Sequence, residues 1–161
     1  MIKSVIDTID IEPILNSFLE LDTDIIWTNY TQGKQTGLQY KITEDAWTSA
    51  VGKSSGKELE CTELNPFFKG TIFETIIEKY NLKRTRLMWI DPKSCYSLHF
   101  DESPRIHIPL ITNPECYFLF YPGIMCHLPI NSVWWVNTKL KHTFLNCSDY
   151  PRLHLVGIVE H

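Results

Sequence analysis

From Lys83 onward the hydrophobic positions fall into short apolar or alternating runs separated by turn residues. The runs are RTRLMWI, CYSLHF, RIHIPLIT, CYFLFY, IMCHLPI, SVWWVNT, HTFLNC and RLHLVGIVEH, and the breaks between them are DPK, ESP, NPE, PG, PIN, TKLK and SDYP. Period-two alternation bounded by Pro, Gly, Asn and Asp is the pattern of strands. A succession of such short strands predicts a mainly β body, a double-stranded β-helix or jelly-roll barrel of the cupin kind, with flanking helices. Residues 9–21 place Ile11, Leu15, Phe18 and Leu19 on one helical stripe, with Pro13 in the first turn. Residues 37–43 (GLQYKIT) read as a strand, and 44–65 as a polar loop able to act as a lid. Over 65–81, Asn65 can cap a helix, Pro66 suits its first position, and Phe68, Ile72, Ile76 and Ile77 share a face.

Length and composition narrow the picture further. At 161 residues one hydrophobic core is expected, so residues 1–161 form a single domain, 1–82 as helical and loop support and 83–161 as barrel core. The 43% hydrophobic and 21% charged composition is globular, and an aromatic share of 12% suits strands and lined cavities. A net charge of -4 without a basic run argues against nucleic acid or an anionic membrane surface as partner. The opening MIKSVIDTIDIEPIL lacks secretory-signal features, and no apolar run is long enough to span a bilayer. Five cysteines without CxxC spacing suggest neither a disulfide framework nor a thiolate zinc site, so a cytoplasmic setting is expected. GKSSG at 52–56 lacks the complete P-loop pattern.

The candidate chemistry lies on the strands. In Leu98-His99-Phe100-Asp101, alternation sends His99 and Asp101 to one side and Leu98 and Phe100 to the other. His142, opening the run HTFLNC, supplies a third ligand. Two histidines and one carboxylate form the facial set of non-haem iron(II) oxygenases, which leaves metal positions open. An HxD pair is short, and an ordinary surface pair produces it too. Arg152 adds independent weight. Its neighbours Leu153 and Leu155 are apolar, so Arg152, His154 and Val156 share the other face, and a guanidinium facing a barrel interior requires an anion. Arg105 and His107 alternate in the same way with Ile106, Ile108 and Leu110. Together these residues fit a dicarboxylate beside a metal.

As a combined pattern, HxD…RxHxPL…H…R over HFDESPRIHIPLIT and HLPINSVWWVNTKLKHTFLNCSDYPRLHLV resembles the aspartyl/asparaginyl β-hydroxylase superfamily of 2-oxoglutarate oxygenases. The likeness covers about residues 85–160. It implies a double-stranded β-helix, iron(II) on His99, Asp101 and His142, and O2 and 2-oxoglutarate as cosubstrates. Arg152 is then expected to hold the distal carboxylate, and Arg105, with His107, the chelating end. Animal aspartyl hydroxylases have glycine where this chain has Asp101, which points to the proline-hydroxylase-like branch. The implied activity is a dioxygenase hydroxylating an amino-acid side chain, free as in proline or within a peptide or protein, with release of succinate and CO2. A non-catalytic cupin-like protein holding a metal and an organic acid is the alternative.

Other positions are read more plainly. Tyr96, Tyr117, Phe118, Trp134 and Trp135 are candidates to line a cavity, with sheet packing the more ordinary role. His127 reads as a hydrogen-bonded structural histidine, His154 as a neighbour of the site, and His161 as a frayed end. Cys95 and Cys147 are expected to be buried thiols.

Overall fold

The computed structural model describes residues 1–53 and 57–160. The chain opens with β1 (Lys3–Thr8) and α1 (Glu12–Leu21), followed by β2 (Thr28–Tyr30), β3 (Gly33–Gly37) and β4 (Gln39–Tyr40). Short 3-10 turns at Glu58–Glu60 and Pro66–Phe68 flank β5 (Glu63–Leu64), and α2 (Ile72–Lys79) follows. The second half is β6 (Lys83–Ile90), β7 (Ser94–Cys95), β8 (Arg105–Ile111), β9 (Cys116–Phe120), β10 (Ile124–His127), β11 (Ser132–Val136), β12 (His142–Asn146) and β13 (Arg152–Ile158).

These last eight strands divide between two facing antiparallel sheets. The larger runs β1-β11-β8-β13-β6-β3-β2, and the smaller runs β10-β9-β12-β7. A jelly-roll barrel results, as the alternation predicts. Register fixes which residues face inward: Val156 lies opposite Arg86 and His107, His154 opposite Met88, and Val136 opposite Arg105. Leu87, Ile106, Ile108, Leu110, Leu153 and Leu155 therefore leave the other face of the large sheet, where they pack with Ile14 and Phe18 of α1 and with Phe73, Ile76 and Ile77 of α2. Each such side chain contributes about 1.5–3 kcal/mol on burial. A second apolar cluster, containing Phe118, Phe120, Trp134, Val136 and Phe144, fills the space between the sheets. The main core thus lies outside the barrel, against the helices, and the interior beyond the second cluster is left to polar residues.

The first half departs from its predicted role. It is more than helical support, because β1 pairs with β11 and β3 with β6, extending the large sheet on both sides. The strand expected at 37–43 is displaced to Gly33–Gly37, with only Gln39–Tyr40 continuing. GKQTG carries no apolar signal of its own, and its pairing with β6 supplies what its composition lacks. In α1 the buried residues are Ile14 and Phe18, whereas Leu19 is 59% exposed, so the stripe is rotated from the expected one. The helix expected over 65–81 is broken. Asn65 caps only the turn Pro66–Phe68, accepting the Phe67 N–H, and the chain passes through Gly70 at φ 76 before α2 begins. Ser54, Ser55 and Gly56 of the polar loop lie outside the described residues, as does part of GKSSG. The rest of the loop is packed, with Ala50, Glu58 and Cys61 buried. Among the described residues no helix is long and apolar enough to cross a membrane.

Candidate active site

The run CYSLHF forms a strand only at Ser94–Cys95, after which the chain leaves the sheet and returns at a single antiparallel bridge between His99 and His142. The two residues exchange backbone hydrogen bonds, His99 N–H to His142 O at 2.8 Å and His142 N–H to His99 O at 2.9 Å. Asp101 is fixed next by its own N–H, which donates to Thr138 O at 2.9 Å. This brings one ligand atom from each of His99, Asp101 and His142 to within 4.8 Å of one another. Nδ1 of His99 donates to Ser97 O at 2.7 Å and Nδ1 of His142 donates to Leu140 O at 2.8 Å. In the neutral rings this leaves Nε2 as the bare nitrogen, and the two Nε2 atoms lie 3.9 and 3.8 Å from the Asp101 carboxylate. Backbone carbonyls holding the far nitrogen are the usual way a protein fixes the tautomer of a metal-binding histidine. Burial also holds His142 below its ordinary pKa, which favours the neutral, ligating form. The donor set fits a divalent metal such as iron(II).

Arg152 begins β13 and is 1% exposed. Its guanidinium lies 3.6 Å from the centre of the Phe144 ring and donates through Nη2 to Nδ1 of His154. Its Nε has no partner, and among the described residues no carboxylate faces it. Burial pushes its pKa down to about 9. His107 and His154 are held well below the ordinary histidine value, first by burial and then by the Arg152 charge, so both are neutral. Their Nδ1 atoms are 3.3 Å apart, and each keeps a buried Nε2 without a partner among the described residues. The sequence placed His107, Arg152 and His154 on inward faces, and all three are there.

Arg105 is also inside, yet its donors are largely taken. Nη1 donates to Glu58 Oε2 and to Ser103 O, both at 3.0 Å, and Nη2 contacts Glu58 Oε1 and, at 3.2 Å, Asp101 Oδ1. Glu58 binds Arg84 as well, at 2.5 Å. Arg84 has φ 49 and sits where the β6–β13 register slips between Val156 and Ile158, a bulge that re-aims its side chain toward Glu58. Arg86, two residues on, is fully inside. Sequence reasoning missed Glu58, Arg84 and Arg86. RTRLMWI also carries two basic residues two apart, but with Thr85 where RIHIPL has an apolar residue, so its alternation is weaker, and nothing local marks Glu58 in its polar loop.

All six residues singled out by the sequence, His99, Asp101, Arg105, His107, His142 and Arg152, line one cavity of about 490 Å³. Arg84, Arg86 and Glu58 line it too, with Tyr30, Gln35 and Tyr96. Of the candidate aromatics only Tyr96 and Phe118 reach it. Trp134 belongs to the inter-sheet cluster and donates to Pro129 O, and Trp135 packs on the outer face. His127 is structural, its Nδ1 donating to Cys116 O at 2.7 Å. Cys95 and Cys147 are exposed, contrary to expectation, because their strand ends lie at the barrel surface. His161 is outside the described residues.

The whole barrel has a solved counterpart. A prolyl-4-hydroxylase from Pseudomonas putida aligns over 99% of this chain and 91% of its own, with TM-score 0.54 and 11% identity. The likeness is one of fold, a mainly β jelly-roll barrel. A cupin domain from Bordetella pertussis Tohama I aligns with 50% of this chain and 82% of its own at TM-score 0.43 and 15% identity. No family model matches this chain, and no curated protein matches it by sequence.

Proposed function

We propose that the protein is an iron(II)- and 2-oxoglutarate-dependent dioxygenase that hydroxylates an amino-acid substrate, of the proline-hydroxylase-like branch of the aspartyl/asparaginyl hydroxylase group. The observation that carries this is one cavity holding both a tautomer-fixed His99–Asp101–His142 set and a buried, unneutralised Arg152. When bound, iron(II) with O2 and 2-oxoglutarate supplies oxidation of a C–H bond to C–OH, coupled to conversion of the cosubstrate to succinate and CO2.

The chain's own residues do the positioning. Arg152 offers its fork to the far carboxylate of 2-oxoglutarate, and Phe144 under the guanidinium fixes its plane. His154 accepts from Arg152 and so orients it, while neutral His107 adds no competing charge. Arg105 acts through Asp101. Held by Glu58, it fixes the direction of the carboxylate that completes the metal set. This differs from the direct cosubstrate contact that the family resemblance implies for Arg105.

Under anaerobic conditions the protein with iron(II) and 2-oxoglutarate is expected to show the visible charge-transfer band of the chelate, and in air to release succinate when substrate is present. Absence of both in folded, iron-loaded protein rejects the proposal, and organic-acid binding without oxygen consumption points to the binding-protein alternative. His99→Ala or Asp101→Ala abolishes iron binding. Arg152→Ala retains iron but raises the 2-oxoglutarate requirement about thirtyfold or more.

A further inference from the structure

A 2-oxoglutarate molecule placed as above has no carboxylate left over, since one end meets Arg152 and the other the metal. Arg86 is then unaccounted for. It is 5% exposed on the inward face of β6, it lines the cavity, and its Nε has no partner among the described residues. Among the described residues its guanidinium donates one hydrogen bond, from Nη1 to Oε1 of neutral Gln35 at 3.3 Å. Glu58 does not neutralise it, being shared by Arg84 and Arg105. Those two guanidiniums repel Arg86 and, with burial as the larger cause, push its pKa down to about 9. Among the described residues, five cationic side chains (Lys53, Arg84, Arg86, Arg105 and Arg152) line the cavity against three carboxylates (Glu58, Asp101 and Glu102), in a chain whose net charge is -4. A buried guanidinium without an anion is costly.

Arg86 and Arg152 serve different subsites. Arg152 lies opposite Ile90, and Arg86 lies opposite Val156, four positions away along the same ladder. Their backbones are therefore about 13 Å apart. Met88 and His154 stand between them. Around Arg86 the groups are Gln35 and, hydrogen-bonded to it, the Tyr96 hydroxyl. Polypeptide carbonyls leave such a charge unbalanced. A cavity of about 490 Å³ that must also hold the cosubstrate suits a small molecule better than a polypeptide segment.

We propose that Arg86, with Gln35 and Tyr96 beside it, grips the free carboxylate of the substrate, which is a free amino acid rather than a residue within a protein. This rests on the oxygenase function above for the presence of 2-oxoglutarate, and the Arg86 site is tested by binding. The protein is loaded with Zn(II), saturated with 2-oxoglutarate, and titrated calorimetrically with the protein-forming L-amino acids and with their carboxamides. At least one free acid is expected to bind, its carboxamide about tenfold or more weakly. Arg86→Gln is expected to weaken that acid about thirtyfold or more while 2-oxoglutarate affinity stays within about twofold. Arg86→Lys, which keeps the charge without the fork, recovers part of the loss.

The proposal is overturned if no free acid binds, if carboxamides bind equally well, if Arg86→Gln leaves binding unchanged, or if the lysine variant is no better than glutamine. Zn(II) and 2-oxoglutarate binding are measured first on the same protein. Their failure counts against the oxygenase reading alone, since Arg86-dependent binding of an amino acid is also read without the cosubstrate.

Discussion

Arg86 and Arg152 are buried charges that pair with no carboxylate among the described residues. Such residues lower the stability of the empty protein, because desolvation is incurred on folding and is offset only when an anion arrives. Replacing either with methionine is expected to stabilise the ligand-free protein by about 1–3 kcal/mol in urea melts while removing binding. A destabilisation of that size means that the arginine holds the fold together and is not kept for a ligand. Arg152 was legible in the sequence because Leu153 and Leu155 flank it and so fix its face. Arg86 has Thr85 and Leu87 as neighbours, a weaker apolar contrast, and passed for part of an ordinary strand. Glu58 was not legible, since its burial comes only from two arginines far away in sequence.

Among the elements, the loop carrying Glu58 closes against the barrel by a two-arginine clasp, reinforced by Arg84 Nη2 donating to Gly52 O at 2.7 Å. Glu58→Ala takes the shared carboxylate from both arginines, leaving Arg105 with Asp101 and Arg84 with the Gly52 carbonyl, and a loss of about 3–5 kcal/mol is expected. Because Arg105 also holds Asp101, iron affinity should fall about tenfold or more in the same variant. Unchanged iron affinity, by equilibrium dialysis, would separate the loop from the metal site. The strands from Lys83 onward were readable because each has an apolar face to bury. β1 and β3 were not, since no residue of β1 is buried and GKQTG holds no large apolar side chain, so each is defined by its pairing with an existing strand. β7 was read too long because beyond Cys95 the chain gives up ladder pairing, and His99 and Asp101 come together with His142 at the barrel rim.

At the scale of the molecule, acid sensitivity follows from the interior histidines. His107 and His154 stay neutral in the fold, whereas an unfolded chain takes up protons on both as pH falls through about 6.5. The unfolded state then binds more protons, so stability declines with falling pH, by about 1.4 kcal/mol per pH unit for each histidine. His142 adds a third such group when no metal is bound. Urea melts of metal-free protein from pH 7 to pH 5 should show this slope, and His154→Gln should reduce it by one proton. A slope unaffected by the substitution would mean that His154 takes up a proton within the fold.

The strand order of the large sheet has a consequence for how the chain acquires its structure. β13, the last strand in sequence, lies in the middle, between β8 and β6, and the first strand, β1, waits at one edge for β11. A ribosome delivers β1, β3 and β6 long before the strand that joins the two halves of the sheet. Until residues 152–158 emerge, the edges of β6 and β8 stand open to pairing with other chains. The large sheet is thus expected to close only once residues 152–158 have emerged, and the strand that closes it carries Arg152 on its first residue.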